Sequence, residues 1–182
     1  MAKQSQMKSY FMESKMTVIE KELKSGWAKR HYGRNADCII AGVGQYMAAL
    51  PVDTDSAPFK VLKMLQEVPI LHFVVEHKRL SHREAKLRSL VLIDSMAQQL
   101  GEGFERRGSH LYYYANQLNV TYTRTTMRST LIYVGIFSDC EDRDPDMMGL
   151  SHFDVVPQAF ALKEMKRYRD DMASLTQPEG TQ

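Results

Sequence analysis

The stretch from Gly33 to Met47 constrains the fold of this chain more than any other. Its apolar residues lie three or four positions apart, which is the spacing of one face of an α-helix. They are Ile39, Ile40, Val43, Tyr46 and Met47. A Gly-Arg-Asn turn precedes them, and Asn35 is a suitable N-cap. The pattern therefore predicts a helix over residues 35–50, which ends before Pro51.

Two further elements are predicted before this helix. Residues 14–32 place Met16, Ile19, Leu23 and Trp27 on one stripe, which predicts an amphipathic helix. Residues 1–12 alternate loosely, as a short polar strand does, although a frayed terminus would look similar. The order of strand, helix, turn and helix is typical of a ribbon-helix-helix DNA-binding unit, here over residues 1–50.

A second assignment of the strand is open. It makes residues 15–21 the strand and begins the helix near Ser25. We disfavour it because Glu20 and Glu22 would then lie beside the presumed DNA surface. Either strand needs a second copy of the chain to complete a two-stranded ribbon, so the hypothesis requires a homodimer.

The ribbon hypothesis assigns roles to individual residues. A two-stranded ribbon fits the major groove of double-stranded DNA. Met7 and Phe11 would pack inward, while the opposite side chains would face base edges and the start of the second helix would contact phosphates. The predicted DNA-binding residues are Gln4, Gln6, Lys8, Tyr10, Lys29, Arg30, Arg34 and Asn35.

Glycines inside the predicted second helix indicate close packing. Gly42 and Gly44 are poor helix formers, and a glycine kept in such a place usually marks the approach of another backbone. A tight dimer core would supply that backbone.

The remainder of the chain is predicted to be a helical domain over residues 59–175, between a linker at 51–58 and a disordered tail at 176–182. Pro69 is expected to divide the apolar run at 59–79 into two helices. Ser81 and Glu84 have the spacing of a capping box and predict that a helix begins there. A last helix is predicted over about 157–174. The overall fold class is therefore mostly α.

Residues 106–138 contain no Asp or Glu, but they hold four arginines and five tyrosines. Basic residues between aromatic ones suit a nucleic-acid surface. A core or subunit contact rich in Tyr and Thr is the alternative. Charge is uneven along the whole chain, because residues 1–34 carry a net +5 and residues 139–182 carry −5. A basic N-terminal segment favours binding to a polyanionic partner.

Several function classes find no support in the sequence. The 182 residues include only two cysteines and no metal-binding spacing, so we expect a reduced cytoplasmic protein without disulfides, metal or cofactor. No run of 18 apolar residues and no signal peptide occur, so we expect no membrane partner. The absence of a phosphate-binding loop or a catalytic motif predicts that the chain is not an enzyme.

The chain also resembles the AcaB-like transcriptional activators of conjugative plasmids and integrating conjugative elements. The resemblance rests on His31–Arg34 followed by Ile39–Val43, on Asp55–Phe59 with Leu62, Leu65 and Glu67, and on Val120 with Thr123 and Arg124. It implies a ribbon-helix-helix regulator with appended helices that activates transfer genes.

Together these observations predict a sequence-specific DNA-binding transcriptional regulator. Its expected partners are double-stranded DNA, a second copy of the chain, and RNA polymerase or another regulator. The alternative, from a different class, is a non-enzymatic helical assembly or adaptor protein of a phage or secretion machine.

Overall fold

A five-stranded mixed sheet organises the chain. The computed structural model describes residues 7–35, 37–47, 68–78, 80–140 and 148–175. The strands of the sheet, in spatial order, are β1 (Lys8–Met12), β3 (Cys38–Gly44), β5 (Ile70–Lys78), β10 (Ser129–Phe137) and β9 (Asn119–Thr125). β1 pairs with β3 in parallel, and the other neighbours pair antiparallel.

Smaller elements surround this sheet. β2 (Val18–Ile19) pairs in parallel with β4 (Tyr46–Met47), and β6 (Phe104–Arg107), β7 (His110–Tyr113) and β8 (Asn116–Gln117) form an antiparallel sheet. The α-helices of the described part are α1 (Trp27–Tyr32), α2 (His82–Leu100) and α3 (Pro157–Ser174). Short 3₁₀ turns span Glu20–Glu22 and Leu150–Phe153. Among these helices none is long and apolar enough to cross a membrane.

Both faces of the central sheet are covered, which explains the continuous apolar runs in its inner strands. On one side, the helical face, Ile39, Phe73 and Val134 belong to a core with α2 and α3. On the other side, the N-terminal face, Ile40 and Val74 belong to a second core. Three further large members come from the segment before β3: Met16, Leu23 and Trp27.

The sequence predictions for α2 and α3 are confirmed. The Ser81 hydroxyl accepts a hydrogen bond from the Glu84 amide, and the Ser81 amide donates to the Glu84 carboxylate at 2.8 Å, so the capping box is complete. α3 spans Pro157–Ser174, with proline in its first turn, where a missing amide hydrogen costs nothing.

The prediction of a mostly α fold is wrong, because the chain is a mixed α/β protein. In the described part of the predicted helix at 35–50, the chain forms β3 and β4. After Pro69 the chain forms β5 and not a helix. In both places a strand that is buried on two faces lacks the polar alternation that would have separated it from a helix.

The predicted helix over residues 14–32 is also wrong for most of its length. Its first part forms β2 and a 3₁₀ turn, and the α-helix begins only at Trp27. Gly26 has a left-handed backbone conformation, with φ of 77°, and stands at the N-cap of α1. The disfavoured assignment, in which the helix starts near Ser25, is therefore closer to the structure.

The predicted ribbon between two chains is replaced by pairing within one chain. A strand does form near the N-terminus, but it pairs with β3, with Lys8 opposite Cys38 and Met12 opposite Gly42. Met7 and Phe11 do face inward, since both pack on the helical face, but the predicted packing on the helices of a two-chain unit is wrong. They contact the core of their own chain, so the ribbon-helix-helix fold is wrong.

Of the two glycines predicted to mark close backbone packing, Gly44 does meet a backbone, but that backbone belongs to the same chain and approaches a strand, not a helix of a dimer core. A Cβ atom added at Gly44 would lie 1.8 Å from the carbonyl oxygen of Met16. The predicted division into domains stays a prediction, because the linker at 51–58 and the tail at 176–182 lie outside the described residues.

Candidate functional site

Three tyrosines and a histidine form a polar cluster, here called the tyrosine cluster, on the N-terminal face of the sheet. The rings of Tyr46 and Tyr133 stack with 5.2 Å between centroids and 13° between planes. The Tyr133 hydroxyl lies 2.9 Å from Nδ1 of His72. Tyr122 on β9 lies directly opposite Tyr133 on β10 and packs against the same core.

The register of β5 and β10 brings Tyr133 and His72 together. Gly135 lies directly opposite His72 in this pair of strands. A Cβ atom at Gly135 would lie 2.3 Å from the Tyr133 hydroxyl oxygen, so only glycine leaves room for that ring. The tyrosine side chain extends over Gly135 and reaches the histidine on the neighbouring strand.

His72 and Tyr133 are both neutral at pH 7. Burial lowers the pKa of His72 to about 4, and burial raises the pKa of Tyr133. The tyrosine therefore keeps its proton and donates it to Nδ1 of the neutral imidazole. Nε2 then carries the ring proton and faces the backbone carbonyls of Met16, Gly44 and Gln45, although it makes no hydrogen bond of good geometry within the described residues.

The other two tyrosines differ in their partners. Burial and the neighbouring Glu20 carboxylate raise the pKa of Tyr46, which is hydrogen-bonded to Glu20. The Tyr122 side chain is half-buried, and its hydroxyl makes no hydrogen bond to another described residue. With His72 and its tyrosines uncharged, the cluster can offer hydrogen bonds to a ligand. It is not suited to proton transfer near neutral pH.

A second polar group, the Glu76 group, lies four residues further along β5 on the same face. Glu76 is 1% exposed, and its carboxylate accepts hydrogen bonds from the Gly26 amide at 2.6 Å, the Ala28 amide at 3.0 Å and the Ser129 hydroxyl at 2.6 Å. The Ser25 hydroxyl lies 2.8 Å from that of Ser129 and donates to it, because the Ser129 proton is already used. Through these hydrogen bonds Glu76 links the N-terminus of α1 to the sheet.

Metal chemistry has no ligand set in the part of the chain that the structure describes. No three His, Cys, Asp or Glu side chains there come close enough to hold an ion. Cys38 and Cys140 are buried free thiols. Burial, with Glu76 and Asp37 nearby, raises the pKa of the Cys38 thiol to about 12, which leaves it protonated and unreactive.

Of the residues that the sequence assigned to base reading, the structure describes Lys8 and Tyr10, which both lie on β1. Gln4 and Gln6 lie outside the described residues. Lys8 is exposed on β1, while Tyr10 is half-buried on the same strand. The Arg34 guanidinium stacks over the Tyr10 ring, 4.2 Å from its centroid, so these two predicted residues do meet.

The residues assigned to phosphate contact lie on and after α1. Lys29 and Arg30 are exposed on that helix. Arg30 donates to the carbonyl oxygens of Ser25, Lys24 and Glu22, which closes the loop before the helix. Asn35 is exposed and lines one pocket together with Lys29. Their roles in DNA binding stay predictions.

Sequence reasoning did not identify His72 or Glu76. Both interrupt the apolar run of residues 70–77 and are four positions apart, so they share one face of a strand. That spacing marks them as a buried polar pair once the run is assigned to a strand. The acid-free stretch contains Tyr122 and Tyr133, but its composition predicts only a nucleic-acid surface or, as the alternative, a core or subunit contact.

The fold resembles that of biotin and lipoate protein ligases. A biotin protein ligase variant from Aquifex aeolicus in complex with biotin is 10% identical, with a TM-score of 0.62 over 94% of this chain and 72% of that one. A putative lipoate protein ligase from T. acidophilum with bound lipoic acid is 7% identical, with a TM-score of 0.56 over 93% and 87%. At these identities the likeness concerns the fold alone.

The chain belongs to the DUF366 family, a domain of unknown function, which it matches over residues 7–179. A protein of unknown function from Pyrococcus horikoshi has the same fold, with a TM-score of 0.75, 19% identity, and coverage of 96% of this chain and 100% of that one. No curated protein matches the sequence.

These findings correct the functional interpretation of the sequence. The family and the ligase-like α/β fold contradict the resemblance to AcaB-like activators and the assignment as a DNA-binding regulator of transfer genes. The alternative, a helical assembly or adaptor protein, has no support either. Of the motifs that carried the resemblance, Ile39–Val43 lies in β3, and Val120 with Thr123 and Arg124 lies in β9. The motif at residues 55–67 lies outside the described residues.

Proposed function

We propose that this chain is a ligase-type enzyme that binds a small carboxylic acid of the biotin or lipoate kind at the tyrosine cluster. The observation that carries the proposal is an uncharged group of hydrogen-bonding side chains, Tyr46, Tyr122, Tyr133 and His72, on one face of a ligase-like sheet. Ligand sites commonly combine aromatic walls with a few polar groups in this way.

Tyr122 is the group that offers a hydrogen bond most directly. Tyr133 already donates to His72, and Tyr46 is bonded to Glu20. The Tyr122 hydroxyl is uncommitted among the described residues, so it can donate to a carbonyl or carboxylate oxygen of the acid. Stacked aromatic rings beside it suit an apolar ring or chain.

Transfer of such an acid to an amine requires activation. A carboxylate does not acylate an amine in water until one of its oxygens becomes part of a better leaving group, and an activated intermediate divides the reaction into two easier steps. ATP supplies such a group, and the Aquifex biotin protein ligase is known in complex with both biotin and ATP. The cytoplasmic location expected from the sequence fits this proposal, because ATP is abundant there.

The test is ligand binding followed by turnover. We expect biotin or lipoic acid to bind saturably by isothermal titration calorimetry, and ATP to be consumed only when that acid is present. Tyr122→Phe removes one hydroxyl without removing the ring, so we expect it to weaken binding roughly 10-fold.

The matched control is Tyr114→Phe, since Tyr114 is 63% exposed and lies outside the cluster. Failure of both acids to bind, or equal losses in the two variants, would refute the proposal. Binding of an acid without ATP consumption would make the chain a binding protein, in line with the sequence-based expectation that it is not an enzyme.

A further inference from the structure

The pocket that Lys29 and Asn35 line, here called the cationic pocket, lies beside α1 and has a volume of about 370 Å³. Glu76 and His72 are four residues apart on β5, so the pocket is about 13 Å along the strand from the tyrosine cluster. Its basic side chains come from three separate elements: Lys29 from α1, Lys78 from the end of β5 and Arg128 from the turn between β9 and β10.

The floor of the cationic pocket is polar and already ordered. Ser25, Ser129 and Glu76 line it. Both oxygens of the Glu76 carboxylate accept hydrogen bonds from Gly26, Ala28 and Ser129, and the side chain is almost completely buried. A bound ligand would therefore contact the basic side chains at the rim of the pocket, here called the rim cations, and the hydroxyls of Ser25 and Ser129. It would not contact the Glu76 carboxylate.

The rim cations have few partners of their own. Lys29 and Arg128 form no ion pair with any described residue, and Lys78 has a loose one, 3.9 Å from Asp37. Lys78 and Asp37 are both partly exposed, so this pair contributes little stability. Three positive side chains against one buried carboxylate leave the lining with a net charge of +2.

We propose that the cationic pocket binds phosphate, either as the free ion or as the terminal group of a small phosphorylated molecule. A phosphate monoester carries close to two negative charges at pH 7, which matches the lining. Its oxygens can accept hydrogen bonds from several directions at once, as the arrangement of Lys29, Lys78, Arg128 and Asn35 requires. Two negative charges among three neighbouring cations also offset much of their mutual repulsion.

The experiment is calorimetric titration of the full chain at constant ionic strength, with inorganic phosphate and separately with ribose 5-phosphate. We expect saturable binding with a Kd on the order of 1 mM or tighter. Lys29→Ala combined with Arg128→Ala should weaken it at least roughly 10-fold, since two charge-assisted contacts are lost. Both side chains are exposed, so these variants keep the fold.

The matched control is Lys86→Ala, which removes an exposed cation on α2, outside the pocket. Tighter binding of ribose 5-phosphate than of phosphate and of ribose would identify a phosphorylated molecule as the occupant, and equal binding would identify the free ion. Absence of saturable binding, or equal weakening by Lys86→Ala, would overturn the proposal. Tyr122→Phe should leave phosphate binding unchanged, which separates this result from failure of the proposed ligase function.

Discussion

Burial in the fold keeps His72 neutral, and the free energy of unfolding therefore depends on pH. Burial lowers its pKa from an ordinary 6.5 to about 4. Between pH 4 and pH 6.5 the unfolded chain binds a proton at this histidine and the folded chain does not. The free energy of unfolding therefore keeps its whole contribution from His72 above pH 6.5 and loses it as the pH falls toward 4. The shift corresponds to roughly 3 kcal/mol of unfolding free energy.

His72→Gln should remove this part of the pH dependence. We expect urea denaturation between pH 7.5 and 4.5 to give a shallower loss of stability in the variant than in the native chain. Some slope will remain, because burial lowers the pKa of His77 as well. His82→Gln, at an exposed position on α2, is the control and should keep the native slope. An unchanged slope in His72→Gln would show that this histidine is not the titrating group.

At the scale of elements, the glycines of β3 set how closely the N-terminal segment approaches the sheet. A methyl group at Gly44 would meet the Met16 backbone at 1.8 Å, and the hydrogen bond from the Met16 amide to the Val43 carbonyl holds that backbone in place. A methyl group at Gly42 would lie 3.1 Å from side-chain atoms of Met12 and Met16, which can move more easily.

We therefore expect Gly44→Ala to lower the free energy of unfolding by about 3 kcal/mol, and Gly42→Ala by clearly less. Urea denaturation of both variants measures the difference. The same pair is informative about ligand binding, because displacement of Met16 would disturb the backbone that faces His72. Equal effects of the two substitutions would contradict the close backbone contact.

Local signals predicted α2 and α3 well, whereas long-range pairing decided the strands. Ser81 and Glu84 lie three residues apart and cap α2 through contacts with each other, so the sequence alone was sufficient. Ile39, Ile40 and Val43 fit a helical face, yet they lie in a strand that β1 and β5 pair from both sides. No residue within 38–44 indicates that β1 and β5 will pair with this segment.

The candidate site could be predicted only in part, for the same reason. Tyr122 and Tyr133 stood out in an acid-free stretch, but their convergence on His72 depends on the register of β5 and β10. Glu76 likewise gains its role from Gly26 and Ser129, which are 50 and 53 positions away in the chain. A sequence shows which polar residues interrupt an apolar run, but the fold decides which of them meet.

At the scale of the whole molecule, the N-terminal strand is part of the fold and not a detachable arm. β1 covers one edge of β3, and Met7 and Phe11 fill part of the core on the helical face. Deletion of residues 1–12 should therefore lower the free energy of unfolding by roughly 3 to 5 kcal/mol, as loss of buried side chains does.

Urea denaturation of the shortened chain tests this expectation. Lys8→Ala is the control, because that side chain is exposed on the same strand and its loss should change stability by less than about 0.5 kcal/mol. A shortened chain as stable as the native one would mean that β1 contributes nothing to the core.

The strand order has a consequence for how the chain is made. β5 lies at the middle of the sheet, and its second neighbour, β10, is translated long after it, with Phe137 opposite Ile70. While the ribosome is still adding residues 79–128, the edge of β5 that will pair with β10 is unpaired. The apolar side chains of β5 on the helical face are not yet covered by α3. Nascent chains of that length are the ones a holding chaperone would engage, and release should follow soon after α3 leaves the exit tunnel.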